Sequence, residues 1–396
     1  KGDESIDVPS FMRSTDFEHV GCEVRGVRRS VGVTEIANFA KYQVTGEGAE
    51  AWLSYMMTNT MPKTGRIVLT PMLNEKGKLI GDFTIAKAAE NRFQIWGSSA
   101  AQVYHMRWFE AHLPDDGSVN IHLFGMNLVG LSIAGPNARK LLQELVDRDI
   151  SNEAFRFMDY AEMDVARAPC RVNRISYTGD LGYEIWMEPA YERQVYLAIK
   201  DAGAKHDIID FGMRALLSMR LEKNFPTWFA ELRPIYGPFE ADMDRFVKLR
   251  KNDFIGREAA AKEHADGPRL KRVTFVVETQ NGDVIGDEPI WARVGDTDYG
   301  TIPQPHSFGG RRFDAAGCLM PKPEATVDGA WRVVGWVTSG GYGHFVKASL
   351  AQGYVPSALS ENTETGMFAI ELRGQRCPAR LITEPLFDAP GVKMRS

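Results

Sequence analysis

Three short segments in which apolar and polar residues alternate follow one another between residues 65 and 97. Short turns rich in glycine, asparagine and charged residues separate them, and the segments read GRIVLTPML, LIGDFTIAKA and NRFQIWG. A period of two is typical of strands with one buried face, and short turns join successive strands in antiparallel order. The sequence therefore predicts a run of antiparallel hairpins in the amino-terminal part of the chain.

Helical patterns lie between further strand patterns without the regular spacing of βαβ units. The predicted helices read EGAEAWLSYMMTN, SAAQVYHMRWFEAHL, NARKLLQELV and AYERQVYLAIKDAGAKH, and strands are predicted at NLVGLSIAGP and around Arg174 to Met187. This mixture favours an α+β fold with antiparallel sheets over a doubly wound fold. From about residue 268 onward strands and turns predominate, which predicts a β-rich carboxy-terminal barrel or roll.

Composition excludes several classes of protein. A formal net charge of -5 and only short basic clusters give no phosphate-binding surface, so we expect no nucleic-acid partner. No run of about 18 apolar residues exists, and the amino terminus KGDESIDVPS lacks the features of a signal peptide. We therefore expect a soluble cytoplasmic protein, or a matrix protein in a eukaryote, without a membrane partner. The four cysteines form no CxxC pair, so we expect buried free thiols.

Motifs for other cofactors are weak. The turn TGEGAEA matches GxGxxA at Gly46, Gly48 and Ala51, but the acid that a dinucleotide site needs about 20 residues later is missing. A tight strand-to-helix turn is the better interpretation. The eight histidines show no HxxH, HxxxH or HExxH spacing, so no metal site is predicted.

Two carboxylates stand in apolar strand patterns. Glu184, in RISYTGDLGYEIWMEP, needs hydrogen-bond donors if it is buried, because an unpaired buried charge costs several kcal/mol. Its partner is either an arginine, Arg174 or Arg220, or a ligand edge with two adjacent N–H donors. Asp82, in LIGDFTIAK, is either an exposed hairpin acid or an acid that faces a cavity and relays a proton. Arg220 borders apolar residues of the helix FGMRALLSMRLEKNF, where it would pair with Glu184 or hold a ligand carboxylate.

Seven phrases, in order, resemble the aminomethyltransferase family, that is, the folate-binding fold of the glycine cleavage T-protein. The likeness is strongest to the carboxy-terminal half of dimethylglycine and sarcosine dehydrogenases. The phrases are RSVGVTEIANFAKYQVTG, MLNEKGKLIGDFTIAK, GLSIAGPNARKLL, RISYTGDLGYEIW, ALLSMRLEKNF, GPFEADMDRFVKLRKNDFIGREA and GWVTSGGYGHFVKASLAQGYV.

The resemblance implies a three-domain cloverleaf around a central channel that holds tetrahydrofolate. It implies an extension over residues 1–20, two interleaved α+β subdomains over 21–260 and a β-barrel over 268–396. Glu184 would then bind the amino-pyrimidine edge of the pterin, Asp82 would lie near the nitrogens that accept the carbon, and Tyr177 would help enclose the cofactor. Arg220 would lie near the folate.

The chain also departs from the family pattern. Leu69 stands where the family often has an aromatic residue, so one wall of the pocket would differ. The segment PQPHSFGGRRFDAAGCLMPKPEA looks longer than the usual connection. The flavin half of the dehydrogenases is absent from this sequence, so amine oxidation cannot be assigned to it.

The resemblance predicts transfer of a one-carbon unit to tetrahydrofolate. The carbon would arrive as an iminium or as formaldehyde from an N-methylated amine, and the product would be 5,10-methylenetetrahydrofolate. The alternatives are a redox-neutral demethylase that transfers a methyl group, glycine cleavage with a lipoyl protein as donor, and a non-catalytic folate-binding module that docks on, or is fused to, a flavoprotein dehydrogenase.

Overall fold

The computed structural model describes residues 12–299 and 327–396, which fold into three β-sheets accompanied by helices. The strands are β1 Gly32–Glu35, β2 Ala40–Thr45, β3 Ile67–Leu73, β4 Leu79–Ala89, β5 Arg92–Gly97, β6 Asn120–Leu123, β7 Val129–Ala134, β8 Tyr160–Val165, β9 Ala168–Asn173, β10 Gly182–Met187, β11 Ile209–Asp210, β12 Leu270–Val277, β13 Pro289–Arg293, β14 Val327–Asp328, β15 Trp331–Gly343, β16 Ala348–Pro356, β17 Phe368–Leu372 and β18 Gln375–Ile382. The helices are α1 Phe17–Arg29, α2 Ala49–Met56, α3 Gln102–Ala111, α4 Ala138–Gln143, α5 Pro189–Gly203, α6 Met213–Glu222, α7 Arg257–Asp266 and α8 Val392–Arg395.

The three alternating segments form β3, β4 and β5, which pair in antiparallel order as predicted. They belong to a five-stranded sheet with the order β3-β4-β5-β2-β6. One face of this sheet packs against α2 and α3 in a core that includes Leu53, Ile85 and Phe109. Because side chains alternate along a strand, the residues between these apolar positions point to the opposite face.

A six-stranded sheet has the order β11-β1-β7-β10-β9-β8, and its pairs are antiparallel except for β1 with β11. Its outer face packs against α4 and α5, where Tyr183 and Ile185 of β10 join a core with Leu141 and Ile199. The inner face meets the five-stranded sheet.

The contact between the inner faces of the two sheets is an apolar cluster. Ile67, Ala86 and Trp96 contribute from the five-stranded sheet, and Tyr160 and Trp186 contribute from the six-stranded sheet. The indole rings of Trp96 and Trp186 lie with their centroids 5.8 Å apart. This cluster fixes the position of one sheet against the other.

The third sheet runs from β12 to β18 and confirms the predicted β-rich carboxy-terminal barrel. Six strands follow the order β13-β17-β18-β12-β16-β15, and β13 also pairs with β15, which closes the barrel. The α+β fold with antiparallel sheets is thus confirmed, while the domain boundaries stay a prediction. In the part of the chain that the structure describes, no helix combines the length and apolar character needed to cross a membrane.

Three local features differ from the sequence-based picture. The helix α1 was not predicted, and its Gly26 permits close packing, since a Cβ there would lie 2.4 Å from Ile209 Cδ1. The segment from Arg174 to Leu181 is a turn rather than a strand, and β10 begins only at Gly182. The expectation of buried thiols is wrong for Cys22, which is exposed on α1.

The structure also shows the turn at Gly46 and two of the remaining cysteines. Gly46 has a φ of +119°, and a Cβ there would lie 2.1 Å from a backbone carbonyl oxygen, so this motif is a tight turn that leads into α2. Cys170 is buried and Cys377 is partly buried. Cys318 and the segment 303–325 lie outside the described residues.

Candidate functional site

Glu184 lies on the inner face of the six-stranded sheet, at the third position of β10. Its cross-strand neighbours are Asn173 on β9 and Ser132 on β7. Because directly opposed residues share a face, these three polar side chains form one row across the sheet. The alternation along β10 therefore explains why a carboxylate can follow Tyr183 and precede Ile185, which both point to the opposite, apolar face.

In the part of the chain that the structure describes, one side chain lies within hydrogen-bond distance and geometry of the Glu184 carboxylate. Asn173 Nδ2 donates to Glu184 Oε2 at 3.3 Å. Burial raises the pKa of Glu184 to about 7, and the Asn173 amide offsets only part of this effect. A carboxylate can accept about four hydrogen bonds. Glu184 therefore keeps the capacity for further donors.

The two arginines that were alternative partners of Glu184 are engaged elsewhere. Arg174 is buried and donates to backbone carbonyl oxygens, including that of Phe155. Arg220 forms a buried ion pair with Glu231 at 3.2 Å. The interpretation in which Arg174 or Arg220 neutralises Glu184 is therefore wrong.

Asp82 lies on the inner face of the five-stranded sheet. It is opposite Pro71 of β3, while Leu69 of β3 is opposite Thr84 of β4. Since alternate residues share a face, Leu69, Asp82 and Thr84 all point to the side that carries Trp96. Burial raises the pKa of Asp82 to about 6. Asp82 is therefore not an exposed hairpin acid, and that it faces a cavity and relays a proton stays a prediction.

Both carboxylates lie on the inner faces of the two sheets, beside the apolar cluster, and we call the region between these faces the cleft. Glu184 and Asp82 each keep some accessible surface. Nevertheless, burial raises the pKa of both groups, which would not happen at a surface open to water. Each group is therefore largely shielded from bulk water, so its charge interacts more strongly than it would at an open surface.

Tyr177 and Arg220 line the same region from the turn before β10 and from α6. The Tyr177 hydroxyl donates to the Pro226 carbonyl oxygen at 2.5 Å, and its ring stacks on Phe225 with centroids 5.8 Å apart. Burial raises the pKa of Tyr177 to about 12, the positive charge of Arg220 opposes that rise, and the negative charge of Asp82 adds to it. Tyr177 and Arg220 therefore meet at Phe225, whose ring stacks on Tyr177 and whose carbonyl oxygen accepts from Arg220, and the charge of Asp82 also acts on Tyr177.

Sequence reasoning missed three residues that shape this site. Asn173 is the hydrogen-bond partner of Glu184, Trp186 borders it, and Glu231 holds Arg220. Asn173 could be found only from the register of β9 and β10, which the sequence does not contain. The sequence could have identified Trp186, because it lies two residues after Glu184 and strand periodicity places both side chains on one face.

A separate surface groove of about 780 Å³ lies between β1 and the beginning of α6. Asp210 in its wall is exposed and already paired with Lys200 at 2.9 Å. The groove contains none of the five predicted site residues, so the cleft is the stronger candidate. Within residues 12–299 and 327–396, no three His, Cys, Asp or Glu side chains form a group suited to a metal ion.

Comparison with known proteins identifies relatives of the whole chain. The model of the GCVT N-terminal domain matches residues 3–251, and that of the glycine cleavage T-protein C-terminal barrel domain matches residues 311–388. The chain is 33% identical over 380 residues to human "Dimethylglycine dehydrogenase, mitochondrial". The matched region covers 96% of this chain and 39% of that protein. It is 30% identical over 277 residues to "Aminomethyltransferase" of Clostridium botulinum (strain Okra / Type B1), which is 69% of this chain and 74% of that protein.

A solved structure shows the same fold. The crystal structure of the glycine cleavage system aminomethyltransferase T from Bartonella henselae superposes with a TM-score of 0.74 and 22% sequence identity. The match covers 93% of this chain and 90% of that one. The chain thus spans about two fifths of the human dehydrogenase but nearly all of the Bartonella chain.

Proposed function

Because the chain belongs to the glycine cleavage T-protein (GCVT) family, we propose that it binds tetrahydrofolate in the cleft and transfers a one-carbon unit to it. The observation that carries the proposal is Glu184, whose carboxylate has one hydrogen bond of 3.3 Å from Asn173 and a pKa raised to about 7. The amino-pyrimidine edge of a pterin presents two adjacent N–H donors, which a carboxylate accepts together. Such a ligand would supply the donors that the cleft lacks.

Asp82 is proposed as the catalytic group. The carbon would arrive as an iminium or as formaldehyde from an N-methylated amine, and the product would be 5,10-methylenetetrahydrofolate. With a pKa of about 6, Asp82 is mostly ionised at neutral pH. Its charge would favour a cationic carbon unit, and the carboxylate would accept the proton released when the new carbon–nitrogen bond forms.

Leu69, Tyr177 and Arg220 are proposed to enclose the reactants. Leu69 shares a sheet face with Asp82, and the charge of Asp82 acts on Tyr177. Confinement of both reactants would replace a bimolecular encounter and would keep a reactive aldehyde away from water. The Arg220 Nε is buried and has no hydrogen-bond partner among the described residues, and we propose that it donates to an acceptor atom of the ligand.

The first test is binding. Tetrahydrofolate is titrated into the protein under anaerobic conditions while tryptophan fluorescence is followed, since Trp96 and Trp186 border the cleft. We expect saturable binding that Glu184→Ala weakens at least tenfold and that Glu75→Ala, a change at an exposed hairpin residue, leaves unchanged. Absence of binding by the unmodified protein, or equal binding by Glu184→Ala, would reject the proposed site.

We propose as a second candidate function a non-catalytic folate-binding module that docks on a flavoprotein partner or is fused to one. Similarity to human dimethylglycine dehydrogenase, of which this chain matches 39%, is the observation that favours it. The two functions differ in the rate of methylene transfer from free formaldehyde: a module that only binds folate would leave it at the uncatalysed value. The human relative is named as a mitochondrial protein, and for this chain we propose a cytoplasmic location, or the mitochondrial matrix if its source is a eukaryote.

Analysis of the product separates the variants of the enzymatic function. Redox-neutral demethylation would give the 5-methyl form of the folate, whereas capture of an iminium or formaldehyde would give the 5,10-methylene form. Incubation with candidate N-methylated amines, with and without a flavoprotein dehydrogenase, identifies which carbon donor the protein accepts. A lipoyl protein as donor would identify the glycine cleavage reaction.

A further inference from the structure

A fully buried carboxylate, Glu231, lies behind the proposed site and is saturated with donors. Glu231 Oε2 accepts from Arg220 Nη1 at 3.2 Å and from the Thr227 backbone N–H at 2.9 Å. Glu231 Oε1 accepts from the hydroxyls of Thr338, at 2.7 Å, and Ser339. Burial opposes ionisation, but the Arg220 guanidinium and these donors outweigh it and lower the pKa of Glu231. Glu231 is therefore a fixed negative charge.

The barrel strand β15 is distorted at the point where it contacts Glu231. Consecutive strand residues normally point to opposite faces. The pairing register of β15 with β16 shifts between Val337 and Ser339, which makes Thr338 the extra residue of a β-bulge. The bulge lets the neighbouring hydroxyls of Thr338 and Ser339 reach the same oxygen of Glu231. The TSG part of the phrase GWVTSGGYG thus has a structural role that the proposed function alone does not explain.

Glu231 fixes the segment that supports the inner residues of the cleft. Arg220 Nη1 also donates to the Phe225 carbonyl oxygen at 3.1 Å, so the guanidinium lies between Glu231 and this segment. The Tyr177 ring stacks on Phe225, and its hydroxyl donates to the Pro226 carbonyl oxygen. The position of Tyr177 therefore depends on a segment that Glu231 holds both directly and through Arg220.

We propose that Glu231 is a positioning residue, which holds Arg220 and the segment 225–227 against the folate site and couples them to the barrel bulge at Thr338 and Ser339. This inference rests on the proposed function, because it assigns Glu231 a role in the binding of tetrahydrofolate. Glu231 itself does not contact the ligand. It acts by fixing the direction of the Arg220 guanidinium and the position of the Tyr177 ring.

The variant Glu231→Gln tests the role directly. A glutamine can accept the two hydroxyl hydrogen bonds with its oxygen, but its NH₂ group then faces Arg220 Nη1 and the Thr227 N–H, which are also donors. The barrel side of the contact is kept and the side toward the cleft is lost. We expect the Kd for tetrahydrofolate to rise at least tenfold.

The control is Glu222→Gln. Glu222 is also fully buried and lies on the same helix α6, but it pairs with Arg28 at 2.7 Å rather than with Arg220. It therefore reports a general loosening of α6. We expect this variant to lose thermal stability and to keep a Kd within about twofold of the unmodified protein. A rise equal to that of Glu231→Gln would overturn the proposal.

A double-mutant cycle separates positioning from simple stabilisation. If Glu231 acts through Arg220, the Kd of Glu231→Gln combined with Arg220→Lys rises by less than the product of the two single effects. Multiplicative effects, or an unchanged Kd in Glu231→Gln, would overturn the proposal. If Glu231→Gln does not fold, the two single variants Thr338→Val and Ser339→Ala take its place in the titration, since each keeps the ion pair between Arg220 and Glu231. A Kd raised severalfold supports the role, and an unchanged Kd in both rejects it.

The same titration distinguishes this inference from the proposed function. An unmodified protein that does not bind tetrahydrofolate rejects the proposed function, and the role of Glu231 in binding falls with it. Binding by the unmodified protein together with an unchanged Kd in Glu231→Gln rejects only the role of Glu231.

Discussion

Replacing Glu184 by glutamine should make the protein more stable at neutral and alkaline pH while it weakens the binding of tetrahydrofolate. The side chain keeps its shape, and the glutamine oxygen can accept the hydrogen bond from Asn173 that Glu184 accepts at 3.3 Å. What disappears is a carboxylate whose pKa burial raises from 4.5 to about 7. The unfavourable ionisation of this group in the folded protein disappears with it.

The size and the pH range of the effect follow from the two pKa values. Below pH 4.5 the carboxyl is protonated in the folded and the unfolded chain, so its ionisation does not affect stability. Between pH 4.5 and about 7 the unfolded chain ionises first, so the free energy of unfolding of the unmodified protein falls as pH rises. The pKa of about 7 lies about 2.5 above 4.5, and each tenfold change in acidity corresponds to about 1.4 kcal/mol. Reduced for the partial exposure of Glu184, this difference lowers the free energy of unfolding of the unmodified protein by about 2–3 kcal/mol above pH 7.

The assay is urea unfolding of both proteins at a series of pH values from 4.5 to 8, followed by circular dichroism. The difference between Glu184→Gln and the unmodified protein should be close to zero at the acidic end and should reach about 2–3 kcal/mol in favour of the variant at pH 8. Glu75→Gln, an exposed control, should show no such trend. A variant that is less stable than the unmodified protein at pH 8 would refute the reasoning, because Glu184 would then have a charged partner in the folded protein.

Three further outcomes test the site and the fold. Asp82→Asn should slow one-carbon transfer at least tenfold while its Kd for tetrahydrofolate stays within about twofold of that of the unmodified protein. The transfer rate of the unmodified protein should rise with pH through about 6, because the carboxylate must be ionised. Equal turnover of both proteins would contradict this role. Gly46→Ala should lower the free energy of unfolding by more than about 1 kcal/mol, measured in urea, because the backbone has a φ of +119° and a Cβ would clash with a carbonyl oxygen. Arg28→Met should cost about 3–5 kcal/mol in the same assay, because it leaves the carboxylates of Asp180 and Glu222 buried without their cation.

The sequence carried enough information for the sheets and for the two cleft acids. The alternating segments predicted β3, β4 and β5, and the change of pattern near residue 268 predicted the barrel. Glu184 and Asp82 could be recognised in the sequence because each is a carboxylate within a strand pattern whose neighbouring residues are mostly apolar. Their roles in binding and transfer stay predictions.

Features that depend on contacts distant in sequence could not be predicted in this way. The helix α1 contains Gly21 and Gly26, which disfavour helix formation by about 1 kcal/mol each, and packing of Gly26 against Ile209 overrides that preference. The pairing of Asn173 with Glu184 depends on the register of two strands. The partner of Arg220 was misjudged because nothing in the order of residues shows that Glu231 lies closer to it than Glu184 does.

The buried carboxylates of this chain divide according to how their hydrogen-bonding capacity is used. Glu231 accepts four hydrogen bonds, and its pKa is lowered although it is buried, so its ionised form is part of the folded structure. Glu184 accepts one long hydrogen bond from the described residues, and burial raises its pKa, so the fold tolerates its ionised form at a cost. Substitution by glutamine should therefore have opposite effects on stability, with a gain at Glu184 and a loss at Glu231. A buried carboxylate that destabilises the unliganded fold and keeps spare acceptor capacity would gain from a ligand that supplies donors, which is the physical reason to look for the pterin at Glu184 and not at Glu231.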